Sequence, residues 1–259
     1  MDHLDRLAQT ALKTIANGYY KGTVAAPSHP ASFSSVIQNA DGLPLIAEVK
    51  PASPSGGRLL GKRSPKDLVD AFSAAGAQGL SVLVEPVHFG GSLDTLRHAA
   101  SKGIPVLFKD FVLSLEQLDA AVGCGASGVL LILALFERGY AKVPLEQMLE
   151  AAVQRSLEVL LEVYDEREYV RALETPATMI GINNRDLKTL QVDLYTTARI
   201  LGQHSKDRPV WSLSGVSTPE DVALLKTFNA DACLVGTALM KAKQPQALLK
   251  DLLAASRPR

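Results

Sequence analysis

Short apolar runs alternate along the chain with amphipathic stretches. Eight runs, at 45–50, 79–84, 105–109, 128–133, 159–163, 179–183, 209–212 and 232–235, are almost uniformly apolar. Strands of that character are buried on both faces, as they are in parallel sheets covered by crossover helices. The stretches between them open on helix-start signals such as Ser64-Pro65, Ser92, Ser114, Asp165 and Thr218-Pro219, where a capping side chain or a first-turn proline fits. The units recur roughly every 25 to 35 residues, the period of βα units. Eight of them favour closure over an open sheet, so the pattern predicts an α/β fold, a single (β/α)₈ TIM barrel.

Ahead of the first run, Leu4, Leu7, Ala8, Ala11, Leu12 and Ile15 form a helical stripe. This predicts an extra N-terminal helix, followed by a Pro/Ser-rich connection through Pro27, Pro30 and Ser32. The expected organisation is a helical extension over residues 1–40 and a barrel domain over 41–259. The helix is expected to cover the barrel floor, with a lid over the substrate as the alternative. The longest connection inside the barrel follows the first run, from Pro51 to Ser64. Loops of that length in a compact unit are usually functional, and this one can close over an anion.

Composition narrows the class. The 259 residues match the roughly 250 of one barrel, and 47% hydrophobic with 21% charged residues supports a large core. Lys plus Arg and Asp plus Glu both count 27, so no general field draws in nucleic acid or an anionic membrane. Met1 to Asp5 lacks the basic and apolar regions of a signal peptide, and no apolar stretch reaches the roughly 18 residues of a membrane span; the expected location is the cytoplasm. Cys124 and Cys233 have no CxxC spacing and no neighbouring His, and are expected as buried, reduced thiols. His88 has no partner at metal-ligand spacing and reads as a loop histidine.

Barrel active sites form at the C-terminal ends of the strands. There, alternation puts Glu48 and Lys50 on one side of the first strand, and Lys109, Glu162, Asn183 and Arg185 close the third, fifth and sixth runs. Each taken singly is equally well a paired or solvated charge; at equivalent positions they mark one pocket. After the seventh and eighth runs stand Ser214-Gly215 and Gly236-Thr237. Small residues there let backbone N–H groups approach a phosphate closely, with Ser53 facing them across the mouth.

Four stretches, Ile46-Ala47-Glu48-Val49-Lys50-Pro51-Ala52-Ser53-Pro54-Ser55-Gly56, Val106-Leu107-Phe108-Lys109-Asp110-Phe111, Ile180-Gly181-Ile182-Asn183-Asn184-Arg185-Asp186-Leu187 and Leu234-Val235-Gly236-Thr237-Ala238-Leu239-Met240, resemble indole-3-glycerol phosphate synthase. The likeness runs in order from about residue 44 to 242. It implies ring closure of 1-(2-carboxyphenylamino)-1-deoxyribulose 5-phosphate with loss of CO₂ and water, in tryptophan biosynthesis, without a metal or organic cofactor. It also implies roles. Lys109 matches the general acid that protonates the substrate carbonyl oxygen, and Lys50 the group that holds the leaving carboxylate. Glu48 and Glu162 match carboxylates of later proton transfers, Asn183 an orienting residue, and Arg185 a support for the pocket's charges. Ser53, Gly215, Gly236 and Thr237 match the phosphate site and Ser214 borders the substrate, while Phe89 either packs on the substrate ring or makes a core or rim contact. The partner expected is a small phosphorylated substrate, with no nucleic acid or membrane. A monomer is expected, with association with other tryptophan-pathway enzymes left open.

Two departures stand out. The family usually has Ser-Glu-Ser-Gly after the seventh strand, and here the segment is Ser212-Leu213-Ser214-Gly215, so Leu213 removes an acceptor beside the substrate's amino group. The second strand is followed by Val84-Glu85-Pro86-Val87-His88-Phe89, where the family commonly has Thr, an acidic pair and Lys before the aromatic. Leu213 leaves two alternatives open: a synthase homologue acting on an altered substrate, or a phosphate-ligand-binding protein that has lost catalysis.

Overall fold

The computed structural model describes residues 2–22, 31–54, 56–186 and 189–258. Eight parallel strands close into a barrel: β1 (Leu45–Val49), β2 (Gly79–Leu83), β3 (Val106–Lys109), β4 (Gly128–Ile132), β5 (Glu158–Val163), β6 (Met179–Asn183), β7 (Val210–Leu213) and β8 (Ala232–Val235). Each pairs with its sequence neighbours, and β8 pairs back onto β1 through Leu45↔Cys233 and Ala47↔Val235. The chain is therefore a (β/α)₈ TIM barrel. Nearly every strand residue is buried, which is why the strands read as unbroken apolar runs. One boundary differs in a way that matters: β7 runs on through Leu213, so this residue stands in the barrel wall and not in the loop.

Four of the five helix-start signals act as written, while Ser114 precedes a helix without a hydrogen bond to its hydroxyl. Ser64, Ser92, Asp165 and Thr218 accept the backbone N–H of Lys66, Thr95, Glu168 and Asp221, each cap contributing about 1 kcal/mol. Cys124 and Cys233 are buried free thiols, and burial raises both above the ordinary thiol range.

The N-terminal segment corrects its expectation. Helix His3–Ala16 lies at the mouth, where His3, Leu4 and Leu7 line the main cavity. Arg138, just beyond β4, holds it there by donating to Asp2 and Asp5 at 2.7 and 2.8 Å, and His88 meets Thr10 at 3.0 Å. The floor is covered instead by a short helix, Phe33–Gln38, in the stretch expected as a connection. Glu158, at the start of β5, accepts from Ser32 Oγ and from the backbone N–H of Phe33 and Ser34 at 2.9, 2.6 and 2.9 Å, and Phe33 meets Trp211 edge-on at 5.1 Å. An apolar stripe reveals which helix face is buried but not which pole of the barrel buries it. Pro27 and Pro30 lie outside the described residues.

The long connection after β1 is stitched down. Ala52–Ser53 and Gly57–Arg58 form a small antiparallel pair, and the Arg63 guanidinium donates to the carbonyls of Leu59, Leu60, Met240 and Ala242. This ties the loop to the segment after β8. Ser55 lies outside the described residues.

Candidate active site

At the C-terminal ends of the strands opens a cavity of about 460 Å³, and every strand or the residue just past it contributes to the lining: Glu48, Lys50, Leu83, Lys109, Ile132, Glu162, Asn183, Leu213 and Gly236. All thirteen residues singled out from the sequence border this one cavity. The chemistry is concentrated in two lysine–glutamate pairs. Lys50 Nζ stands 2.7 Å from Glu48 Oε1, and Lys109 Nζ stands 3.8 Å from Glu162 Oε2. The carboxylates are 2% and 3% exposed and the lysines 16% and 21%, so each glutamate is shielded from water while its lysine reaches the open space.

Burial alone would raise the Glu48 carboxyl, but the charges of Lys50, Lys109 and Arg185 and the Lys50 hydrogen bond hold it below the ordinary glutamate range. Glu48 is therefore ionised in the resting site. Glu162 accepts from Asn183 Nδ2 at 2.9 Å and from the Tyr164 hydroxyl at 2.5 Å. Asn183 Oδ1 in turn accepts the Arg185 N–H at 3.0 Å, and the Arg185 side chain is held by the Leu190 carbonyl at 2.9 Å. Asn183 thus connects a carboxylate to the following loop through one rigid amide.

Ser53, Ser214, Gly215, Gly236 and Thr237 give the cavity a rim of small residues, and Gly236 leads into helix Thr237–Lys241 with no side chain capping its first turn. Asn184 fixes this rim from behind. Buried at 2% exposure, it donates to Ser212 Oγ and to the Ser214 carbonyl at 2.8 and 3.0 Å and accepts from Thr197 Oγ1 at 2.9 Å. Ser214 takes a left-handed φ of 65° against that support.

Part of the lining is apolar. Phe89 and Phe111 pack on each other with ring centroids 5.9 Å apart and line the cavity together with Leu83, Leu130 and Ile132, a surface suited to an aromatic ring. Glu85 sets Phe89 in place by accepting the N–H groups of Val87, His88 and Phe89 at 2.8, 2.6 and 2.9 Å. Leu213, 2% exposed, fills the space over Gly181, where a Cβ would stand 2.7 Å from its Cδ1. Among the described residues, no three His, Cys, Asp or Glu side chains are grouped to hold a metal ion.

Sequence reasoning passed over Tyr164, Asn184 and the pair beneath Lys109. There Asp110 accepts from the Tyr20 hydroxyl at 2.6 Å and from the Phe111 N–H at 2.7 Å. Burial pushes its carboxyl up to about 7, against the lowering effect of those donors and with help from the Glu85 charge. A carboxyl whose folded pKa lies above its unfolded value costs the fold nothing while both states keep the proton. It costs progressively more as pH rises from the ordinary aspartate range towards 7, on the order of 4 kcal/mol at most. The melting temperature of the parent is therefore expected to fall relative to that of Asp110→Asn between about pH 5 and about pH 8. Thermal melts at both pH values check this, and a parent that holds or gains against the variant as pH rises would contradict it.

Comparison with known proteins follows the geometry. A family model described as indole-3-glycerol phosphate synthase matches residues 6–252. Proteins named indole-3-glycerol phosphate synthase are similar at 39% identity in Methanothermobacter marburgensis, over 87% of this chain and 79% of that one, and at 42% in Listeria monocytogenes, over 83% of each. Among solved structures, tryptophan synthase from Mycobacterium tuberculosis superposes with a TM-score of 0.66 at 15% identity, over 89% of this chain and 100% of that one. Thiamine phosphate pyrophosphorylase from Pyrococcus furiosus gives 0.60 at 15%, over 83% and 96%. These two likenesses concern the fold alone. With the family model and the relatives in agreement over nearly the whole barrel, the chain belongs to the indole-3-glycerol phosphate synthase family, carboxy-lyases of tryptophan biosynthesis.

Proposed function

We propose that the cavity carries out ring closure of 1-(2-carboxyphenylamino)-1-deoxyribulose 5-phosphate with a fixed division of labour. The phosphate sits among Ser53, Ser214, Gly215, Gly236 and Thr237, and the aromatic ring lies against Phe89, Phe111 and the apolar wall. Lys109 gives a proton to the carbonyl oxygen as the ring carbon bearing the carboxylate bonds to the carbonyl carbon. Lys50 holds that carboxylate until it leaves as CO₂, the electron pair of the broken bond restoring the aromatic ring. Loss of water then removes the new hydroxyl together with a proton from the neighbouring carbon, and Glu48 and Glu162 serve these transfers. Asn183 orients the substrate and Arg185 supports the charges. The observation that carries this reading is the pairing of each lysine with its own buried carboxylate at the ends of β1, β3 and β5, since a site that only binds needs no such donor–acceptor sets. On the same reading, residues 1–40 are a helical extension to a barrel over 41–259, with helix His3–Ala16 at its mouth, and the chain works as a cytoplasmic monomer.

The test is an ultraviolet assay of indole formation by the purified chain. Product at catalytic rates supports the reading, whereas tight substrate binding with no product in a single turnover would mark a binding protein. Leu213 favours a second reading, an altered substrate, because an apolar side chain stands where the family has an acceptor. A lost hydrogen bond to a buried donor is worth on the order of 1 to 3 kcal/mol, so Leu213→Glu is expected to raise kcat/KM for the standard substrate about tenfold. A fall, with better turnover of ring-substituted analogues by the parent, would favour the second reading.

A further inference from the structure

Glu162 has two chemically equivalent oxygens, and the terminal torsion of a free glutamate exchanges them readily. In this site they are not equivalent. Oε1 receives the Tyr164 hydroxyl at 2.5 Å and Asn183 Nδ2 at 2.9 Å, while Oε2 faces Lys109 Nζ at 3.8 Å. Twisting the carboxylate out of its present plane would break both hydrogen bonds at a site where Glu162 is 3% exposed and unpaired polar groups are costly. Asn183 alone leaves the group one donor to pivot about; the second donor removes that freedom.

We propose that Tyr164 is a positioning residue for Glu162: with Asn183 it fixes the plane of the carboxylate, so that the oxygen without these donors faces Lys109 and takes up or returns a proton there. The phenol suits this task because it remains a donor. Burial first, and then the Glu162 and Glu168 carboxylates, push it well above the ordinary tyrosine range, so it keeps the proton it donates. The main chain at Tyr164 is held as well, its N–H donating to Glu168 Oε2 at 2.9 Å at the start of helix Glu166–Leu173. The inference rests on the proposed proton-transfer role of Glu162 and adds what orients its carboxylate towards Lys109.

The experiment measures kcat, KM and thermal unfolding for Tyr164→Phe and Glu162→Gln, with kcat expressed per folded molecule so that lost stability does not imitate lost catalysis. Tyr164→Phe removes one hydroxyl and nothing else. It is expected to lower kcat at least about tenfold, with KM held within about twofold, because a charge-assisted hydrogen bond to the working carboxylate is lost while substrate contacts stay. A kcat within twofold of the parent, or a loss expressed in KM, would overturn the role of Tyr164. Near-normal turnover by Glu162→Gln would instead remove the proton-transfer role of Glu162 itself. A slow Glu162→Gln beside an unchanged Tyr164→Phe would leave that role standing and overturn only the inference.

Discussion

Lys109→Ala is expected to lower kcat by about three orders of magnitude or more, with the barrel folded and KM changed far less. General acid catalysis by a placed side chain contributes typically 10² to 10⁴-fold, and a donor beside developing negative charge adds electrostatic stabilisation of the transition state. Lys109 ends β3 with its ammonium in the cavity, and Glu162 Oε2, 3.8 Å away, helps to hold it there. Truncation removes the proposed proton donor and leaves the proposed phosphate subsite and the apolar lining untouched. The loss therefore belongs in the chemical step and not in binding. Single-turnover measurements with saturating substrate check this, and a near-normal rate would eliminate Lys109 as the acid.

The second large effect is expected from a single methyl group. A Cβ on Gly236 would stand 2.3 Å from Glu48 Oε1, 3.0 Å from its Cδ and 3.1 Å from its Cβ. The whole carboxylate arm has to move, and it is the arm that pairs with Lys50 at 2.7 Å. Gly236 also belongs to the rim proposed for the phosphate, so the same displacement disturbs two functions at once. Misplacement by ~1 Å of groups that act in the transition state can cost on the order of 10²-fold. Gly236→Ala is accordingly expected to reduce kcat/KM about 10²-fold, with a raised KM and a lowered kcat together. Steady-state kinetics beside a thermal melt checks it, and a variant that is folded and fully active would show that Glu48 needs no fixed position.

The strands were legible because burial on both faces leaves an unbroken apolar signature, and the predicted runs agree with the observed strands to within one residue at their ends. Period-two alternation was equally legible, and it brought Glu48 together with Lys50. The same argument applied two residues beyond Glu162 reaches Tyr164, a signal present in the sequence and passed over because tyrosine is not a charged residue. The Tyr20–Asp110 contact had no such signal: its partners lie 90 residues apart, and nothing local in either segment announces the other. Helix Phe33–Gln38, at 6 residues, is under two turns long, too short for a 3.6-residue period to register. The pole chosen by helix His3–Ala16 was hidden for a different reason. It depends on Arg138 finding Asp2 and Asp5, a contact between segments more than 130 residues apart.

The course of the N-terminal segment has a practical side. Asp2 is anchored beside the mouth by Arg138, whereas the Ser256 carbonyl accepts the Leu43 N–H at 3.0 Å, at the entry to β1 on the opposite pole. A tag or surface linker attached ahead of Asp2 would crowd the doorway through which substrate and product pass. One attached beyond Ser256 leaves that doorway facing the solvent, so immobilisation and fusion partners belong at that end of the chain.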